Sequence, residues 1–218
     1  PRLLESLPFR DFMSGVAEMI KTFIIEDNGN YAKAVSVFHE MMKEYSIVPE
    51  EDAQEYWTDC MDAHMPDLTP LIAEAVRVKA GIVSRDQFEG GERRKLNLGH
   101  TFGHAVETLA RREAMTGDAD PEKTDITHGE AVAMGLVLAA RLSDRLYEKE
   151  SSLEESIRTE LAECGLDPDS PFTVEEMAHV MMKDKKAEGD RIHFVLPKFV
   201  GEVEVVDLTI DEVLTLMS

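Results

Sequence analysis

The sequence is short of positive charge. Its 218 residues contain 23 lysines and arginines against 44 aspartates and glutamates, which gives a formal net charge of −21. Nucleic acids present negative phosphates to the proteins that bind them, so a chain this acidic is a poor candidate for a nucleic-acid-binding protein. The charge instead indicates high solubility or a salty habitat.

Long hydrophobic runs and clustered cysteines are also missing. No segment approaches the roughly 20 apolar residues of a membrane span, and the first residues lack the pattern of a signal peptide. Cys60 and Cys164 stand alone in the sequence, without the spacing of a metal-binding or redox motif. We therefore expect reduced thiols in the cytoplasm, or in a plastid if the source is a photosynthetic eukaryote.

A nucleotide-binding motif is a third absence, since the chain contains no GxGxxG and no βαβ pattern. The hydrophobic periodicity is helical through most of its length. It predicts helices over residues 14 to about 27, 31–45, 50 to about 65, 70 to about 80, and 128 to about 148. In the fourth of these, Thr69 is the expected N-cap and Pro70 the first helical residue.

Capping boxes indicate the starts of further helices, with threonine or serine followed three residues later by glutamate. They begin at Thr127, Ser152, Thr173 and Thr209. Only residues 192–196 and 202–206 alternate like strands, which predicts a small hairpin around 197–201. The acidic segment 117–127 predicts a loop. These patterns predict a single mostly α-helical domain over residues 1–218, with a small β-hairpin near the C-terminus.

The most informative segment is LNLGHTFGHAVE, residues 96–107. His100 and His104 are four residues apart, so they share a helix face, and a glycine precedes each of them. Glycine costs a helix about 1 kcal/mol relative to alanine, so we expect this face to be crowded against a helix or a ligand. Histidine serves both as metal ligand and as acid or base. The pair could therefore chelate a metal with both rings, or divide the two roles.

Five motifs in order resemble those of the 3-dehydroquinate synthase family. They are SGVAEMIK at 14–21, EGGER at 89–93, the segment 96–107, HGEAVAMG at 128–135, and DKK at 184–186 followed by 192–201. The resemblance implies the C-terminal domain of a two-domain, homodimeric enzyme whose N-terminal NAD-binding domain is absent from this chain. The implied reaction is the zinc- and NAD-dependent conversion of 3-deoxy-D-arabino-heptulosonate 7-phosphate to 3-dehydroquinate and phosphate, in the shikimate pathway.

The resemblance also implies roles for individual residues. It assigns zinc (or cobalt) to Glu18, His100 and His128, and this donor set suits a zinc ion that keeps one position open. It makes His104 an acid/base and Glu89 a proton acceptor. Residues that would bind the sugar-phosphate substrate are Lys21, Lys79, Arg93, Asn97, Lys185 and Lys186, and such cations suit carboxylate and phosphate.

Other interpretations of these residues remain open. Taken alone, Glu18 could be a surface carboxylate paired with Lys21, and the cations could be solvated surface charges. The resemblance also allows another sugar-phosphate cyclase, such as 2-deoxy-scyllo-inosose synthase or a valiolone synthase, and a non-catalytic metal-bearing interaction module is a further alternative. The chain departs from the family at the acidic Glu92 and in a longer segment between Glu107 and His128. We expect no turnover from this domain alone.

Overall fold

The computed structural model describes Leu4 and residues 7–46, 53–88, 90–116, 120–184 and 191–218. These ranges confirm a mostly α-helical fold with one hairpin near the C-terminus. The elements are α1 (Phe9–Ile25), α2 (Tyr31–Tyr45), α3 (Ala53–Arg85), a 3₁₀ helix (Glu92–Asn97), α4 (His100–Glu113), α5 (Pro121–Thr124), α6 (His128–Leu146), α7 (Leu153–Glu163), α8 (Val174–Asp184), β1 (Arg191–Phe199), β2 (Glu202–Thr209) and α9 (Ile210–Met217).

Helix α6 lies at the centre of the molecule. It is buried at most of its positions and packs against α1, α4, α7, α9 and β1. A helix that is apolar on all sides belongs inside the core. The predicted capping box begins it: Thr127 Oγ1 accepts from the Glu130 amide, and the Glu130 carboxylate accepts from the Thr127 amide at 2.6 Å. The core therefore fixes where His128, its first residue, is placed.

Glycines let α4 and α6 meet backbone to backbone. A Cβ at Gly103 would lie 3.0 Å from the Ala131 carbonyl oxygen, and one at Gly135 would overlap the Gly99 carbonyl. Gly99 also has a φ of 76°, in the left-handed region that favours glycine. We expected the helix face with the two histidines to pack closely against another helix, but the close contact lies on the neighbouring face, which carries the glycines. That expectation was wrong for His104, whose side chain is exposed.

Helix α3 corrects the two-helix prediction. It runs unbroken through Pro66 and Pro70, and Thr69 caps nothing, because its hydroxyl donates to the Met65 carbonyl at 2.8 Å within the helix. A proline removes one helical hydrogen bond and disfavours continuation. Here Leu68 and Leu71 are buried on the same helix, and this tertiary packing outweighs the local preference.

The start of α1, a short helix in a predicted loop and the lengths of the two strands also differ from the sequence predictions. Helix α1 starts at Phe9 because its first turn packs into an aromatic cluster, where the Phe9 ring stacks on Tyr45 with centroids 4.6 Å apart. The short helix α5 lies within the segment predicted as a loop, of which residues 117–119 fall outside the described ranges. The strands of the hairpin are longer than predicted.

The hairpin is joined to helix α1. Its strands are antiparallel from Arg191 opposite Thr209 to Phe199 opposite Glu202. At the turn, the Gly201 amide donates to the Ile24 carbonyl at 2.9 Å. The hairpin thus braces the C-terminal end of the helix that carries Glu18. Among the described helices, none combines the length and apolar character that a membrane span requires.

Candidate metal and substrate site

Three side chains from three helices converge at one point. Glu18 lies in the middle of α1, and His100 and His128 are the first residues of α4 and α6. Glu18 Oε1 is 3.7 Å from His100 Nε2 and 3.6 Å from His128 Nε2. The sequence separates these residues widely, and the packing of α1 and α4 against α6 brings them together.

In both histidines, the ring nitrogen that faces away from Glu18 already contacts another group. His100 Nδ1 lies 3.1 Å from the Leu98 carbonyl, and His128 Nδ1 lies 3.1 Å from Glu107 Oε1. Since a carbonyl and a carboxylate oxygen can only accept, we assign the ring protons to both Nδ1 atoms. Each Nε2 then directs a lone pair towards Glu18. Such outer partners are typical of metal-binding histidines.

The charge states also favour a cation. Burial and the nearby Lys21 lower the pKa of His100, so its ring is neutral at pH 7. Burial by itself would raise the pKa of Glu18, but Lys21 at 2.7 Å and the two histidines together outweigh it, and the net direction of the pKa is downward. Glu18 Oε1 is buried and accepts no hydrogen bond from the described residues. Three acceptors therefore face one another without a donor between them.

The donor set fits a zinc ion. Two imidazoles and one carboxylate are usual zinc ligands, and ligands at about 2.0–2.2 Å from one ion lie no more than about 4.4 Å apart. The two distances from Glu18 Oε1 meet this condition. The side chain of His128 is 49% exposed, so the point of convergence is open on one side to a further ligand.

A cavity of about 330 Å³ adjoins the trio. In the described part of the chain, it is lined by three cations and one carboxylate, although the chain as a whole is strongly acidic. Burial lowers the pKa of Lys21, which is 5% exposed. A cavity with this excess of positive charge suits an anion. Its lining residues are Glu18, Lys21, Thr22, Lys79, Arg93, Leu96, Asn97, His100 and His128.

The loop before the 3₁₀ helix is held by Asp86. Its carboxylate accepts from the amides of Gly90, Gly91 and Arg93 at 2.7–3.0 Å. These backbone hydrogen bonds lower the pKa of Asp86. Glu92, at the position where the chain departs from the family pattern, accepts two 2.8 Å hydrogen bonds from Arg85. Together they fix the segment that places Arg93 and Asn97 at the cavity.

His104 does not join this arrangement, and the placement of three other predicted residues is not described. The His104 ring lies 5.4 Å from the His100 ring, centroid to centroid, but its side chain is exposed and does not line the cavity. Glu89, Lys185 and Lys186 lie outside the described residues, so their roles stay predictions. Asp86 and Glu107 were missed by the sequence reasoning. Asp86 lies outside the five motifs, and Glu107 ends the segment 96–107, but nothing in that segment indicates that its partner is His128, 21 residues later.

Comparison with known proteins gives one consistent family. The family of 3-dehydroquinate synthase C-terminal domains matches residues 15–187. The 3-dehydroquinate synthase of Acidithiobacillus ferrooxidans is 38% identical over 93% of the chain and 48% of that protein. The 3-dehydroquinate synthase of Bacillus mycoides is 35% identical over 94% of the chain and 49% of that protein. The chain thus spans about half the length of the curated relatives it matches.

Two solved structures share the fold at low sequence identity. A 2-epi-5-epi-valiolone synthase from Streptomyces hygroscopicus, with NAD+ and Zn2+ bound, matches with a TM-score of 0.68 at 19% identity, over 98% of this chain and 52% of that one. A 2-deoxy-scyllo-inosose synthase complexed with carbaglucose-6-phosphate, NAD+ and Co2+ matches with a TM-score of 0.67 at 22% identity, over 99% and 54%.

Proposed function

Since the chain belongs to the family of 3-dehydroquinate synthase C-terminal domains, we propose that it is the metal- and substrate-binding half of a 3-dehydroquinate synthase. The proposed reaction converts 3-deoxy-D-arabino-heptulosonate 7-phosphate to 3-dehydroquinate and phosphate. One observation carries the proposal: three lone-pair acceptors, from Glu18, His100 and His128, converge beside a cavity that presents three cations.

The acceptor trio would hold the metal ion. Zinc bound there would supply Lewis-acid polarisation and orientation of substrate hydroxyls. Lys21 keeps the Glu18 carboxylate charged, and Leu98 and Glu107 hold the two rings with Nε2 facing the site. The proposal agrees with the Zn2+ and Co2+ of the two structurally similar cyclases.

The cations would hold the substrate. A sugar phosphate that also carries a carboxylate offers two anionic groups, and Lys21, Lys79 and Arg93 lie along one cavity to receive them. Charge-assisted hydrogen bonds of this kind are among the stronger ones in proteins. We propose that the amide of Asn97 adds a hydrogen bond, and that Lys185 and Lys186 contribute further charge.

Proton transfer and hydride transfer complete the proposal. We assign acid/base catalysis to a ring nitrogen of His104 and proton acceptance to the carboxylate of Glu89. Hydride chemistry would come from NAD. Because the chain spans about half of its relatives' length, we place NAD binding mainly in an N-terminal domain that those relatives carry.

Zinc titration of the purified, metal-free chain tests the proposal. We expect the chain to bind zinc at this trio, and the variants His100→Ala and His128→Ala each to bind one equivalent less than the unmodified chain, because each removes one of three protein ligands. His179→Ala is the matched control: His179 is an exposed histidine on α8 whose Nδ1 lies beside the Glu175 carbonyl. An undiminished zinc stoichiometry in either ligand variant, or a reduced one in the control, would contradict the assignment.

Substrate binding separates the alternatives. With zinc present, Arg93→Gln should weaken binding of 3-deoxy-D-arabino-heptulosonate 7-phosphate by roughly 10- to 150-fold, the usual worth of a hydrogen bond to a charged group, and leave zinc affinity unchanged. Preference for glucose 6-phosphate would point to a different sugar-phosphate cyclase. Zinc binding without affinity for either sugar phosphate would support the interaction module.

A further inference from the structure

A second group of metal-binding side chains lies between α2 and α3, away from the cavity. It consists of Glu44 near the end of α2, and Cys60 and His64 on α3. The candidate ligand atoms of the three all lie within 4.8 Å of one another. His64 Nε2 is 3.2 Å from Glu44 Oε2. Cys60 and His64 are four residues apart, so they share a helix face.

Two of the three side chains are shielded from solvent. Cys60 is 4% exposed, and the side chain of His64 is 13% exposed. Cys60 is a free cysteine, and no hydrogen bond to its Sγ is found among the described residues. Burial, with a contribution from Glu44, raises the pKa of the Cys60 thiol to about 11. Without a cation the sulfur thus stays protonated.

The surrounding packing holds the group together. Tyr45, which follows Glu44, contacts Trp57 with ring centroids 5.5 Å apart, and Trp57 lies three residues before Cys60. Trp57 is 1% exposed, and Cys60 and Met61 beside it are also buried. The two helices therefore meet in a fixed arrangement next to the three ligand atoms, so little ordering is needed for a cation to bind.

We propose that Glu44, Cys60 and His64 form a second cation site, which takes a divalent ion of the zinc class. Thiolate, imidazole and carboxylate are the three usual protein ligands of zinc. On binding, the S–H bond breaks, a sulfur–metal bond forms and the proton leaves to solvent, while His64 binds as the tautomer whose proton lies on the nitrogen away from the metal. Water completes the coordination, since the side chain of Glu44 is 49% exposed. The site would tie α2 to α3, and it does not depend on the proposed function.

Cobalt titration of the reduced, metal-free chain tests this site. A thiolate bound to Co2+ gives a charge-transfer absorption band in the near ultraviolet, and the trio of Glu18, His100 and His128 contains no sulfur. We expect this band to appear and saturate on addition of Co2+. Cys60→Ser and His64→Ala should abolish it.

Cys164→Ser is the matched control. Cys164 is the other buried cysteine, and its Sγ donates to the Val35 carbonyl at 3.7 Å. The control should keep the full band. Absence of the band in the unmodified chain, or its persistence in Cys60→Ser, would overturn the proposal and leave Glu44 and His64 as a simple hydrogen-bonded pair.

Glu44→Gln gives an independent test if Cys60→Ser fails to fold by circular dichroism. The side chain of Glu44 is half exposed, so the fold should tolerate this substitution. We expect cobalt affinity at the thiolate site to fall by at least about 10-fold, since even partners of metal ligands contribute 10- to 100-fold. Unchanged affinity in this variant, or a full band in His64→Ala, would also overturn the proposal.

Discussion

Two histidines of one motif have different surroundings at the scale of single residues. His100 is partly buried, its Nδ1 lies beside the Leu98 carbonyl, and its Nε2 faces Glu18. His104 is exposed one turn further along α4. Both lie on the same face, but the ring at the N-terminus of α4 faces Glu18 of α1, whereas the ring one turn later does not line the cavity. Position along the helix therefore separates the metal-ligand candidate from the acid/base candidate.

We expect His104→Ala to leave the zinc content nearly unchanged and to slow the complete enzyme by about 10²- to 10⁴-fold, the range of a general acid or base. His100→Ala should lose the zinc ion bound with Glu18 and His128, because too few ligands remain there. Metal analysis of the two purified variants, together with kinetics, distinguishes the roles. Equal zinc loss in both would make His104 a ligand.

Glu107 is the residue that holds His128 in orientation. It lies 3.1 Å from His128 Nδ1, and we predict that Glu107→Gln weakens zinc binding by about 10- to 100-fold without removing a ligand. Glu113→Gln, on the last turn of the same helix, should leave the affinity unchanged. Competition with a chelator measures the zinc affinity of both variants. Equal zinc affinities in Glu107→Gln and Glu113→Gln would show that Glu107 has no positioning role.

Close approach of α4 and α6 governs the site at the scale of elements. His100 and His128 begin these two helices, so the distance between the rings depends on the glycine contact that lets the backbones meet. Their ring centroids are 5.5 Å apart. Any change that separates the helices therefore also separates two of the three metal-ligand candidates.

Gly135→Ala tests this dependence. The added Cβ would overlap the Gly99 carbonyl, so we expect a loss of about 1–3 kcal/mol in the free energy of unfolding, as in other overpacked cores, and weaker zinc binding. Gly15→Ala is the matched control. Gly15 lies in α1 with no atom within 4 Å of a built Cβ, so alanine should be neutral or stabilise by up to about 1 kcal/mol. Urea unfolding measures the stability of both variants. Equal free energies of unfolding would show that the close contact at Gly135 does not matter.

Charge distribution and completeness matter at the scale of the whole molecule. The chain has a net charge of −21, yet three cationic side chains line one cavity. This contrast would direct the proposed anionic substrate to the cavity and away from the remaining surface. The chain nevertheless spans about half of its relatives, so the cavity is only part of the proposed active site.

We therefore predict that the chain alone shows no cyclase activity when NAD and zinc are supplied. Addition of the N-terminal half of a relative such as the Acidithiobacillus ferrooxidans synthase, in trans or by fusion, should produce turnover. Phosphate release from 3-deoxy-D-arabino-heptulosonate 7-phosphate is the measurement. Robust phosphate release from the chain by itself would show that the division into two domains is wrong.

Local patterns predicted much of the architecture. The capping boxes at Thr127 and Thr209 are present as expected, and α2 has the predicted bounds of Tyr31–Tyr45. Such features depend on residues three or four positions apart, which the sequence displays directly. The long helix α3 was predicted as two, because the burial of Leu68 and Leu71 across Pro66 and Pro70 depends on partners that the local sequence does not reveal.

The sequence by itself determined the helical class and most helix starts, because these follow from periodicity and capping chemistry, and its resemblance to a known family indicated the residues that a metal and a sugar phosphate would need. Only the tertiary structure decided that Glu18, His100 and His128 meet at one point, that Lys21 is buried beside them, and that Glu107 holds His128 in place. These contacts join residues that the sequence places on three separate helices, and the packing of α1 and α4 on α6 creates them. Distances across a core depend on all the helices together, and a local pattern cannot contain them.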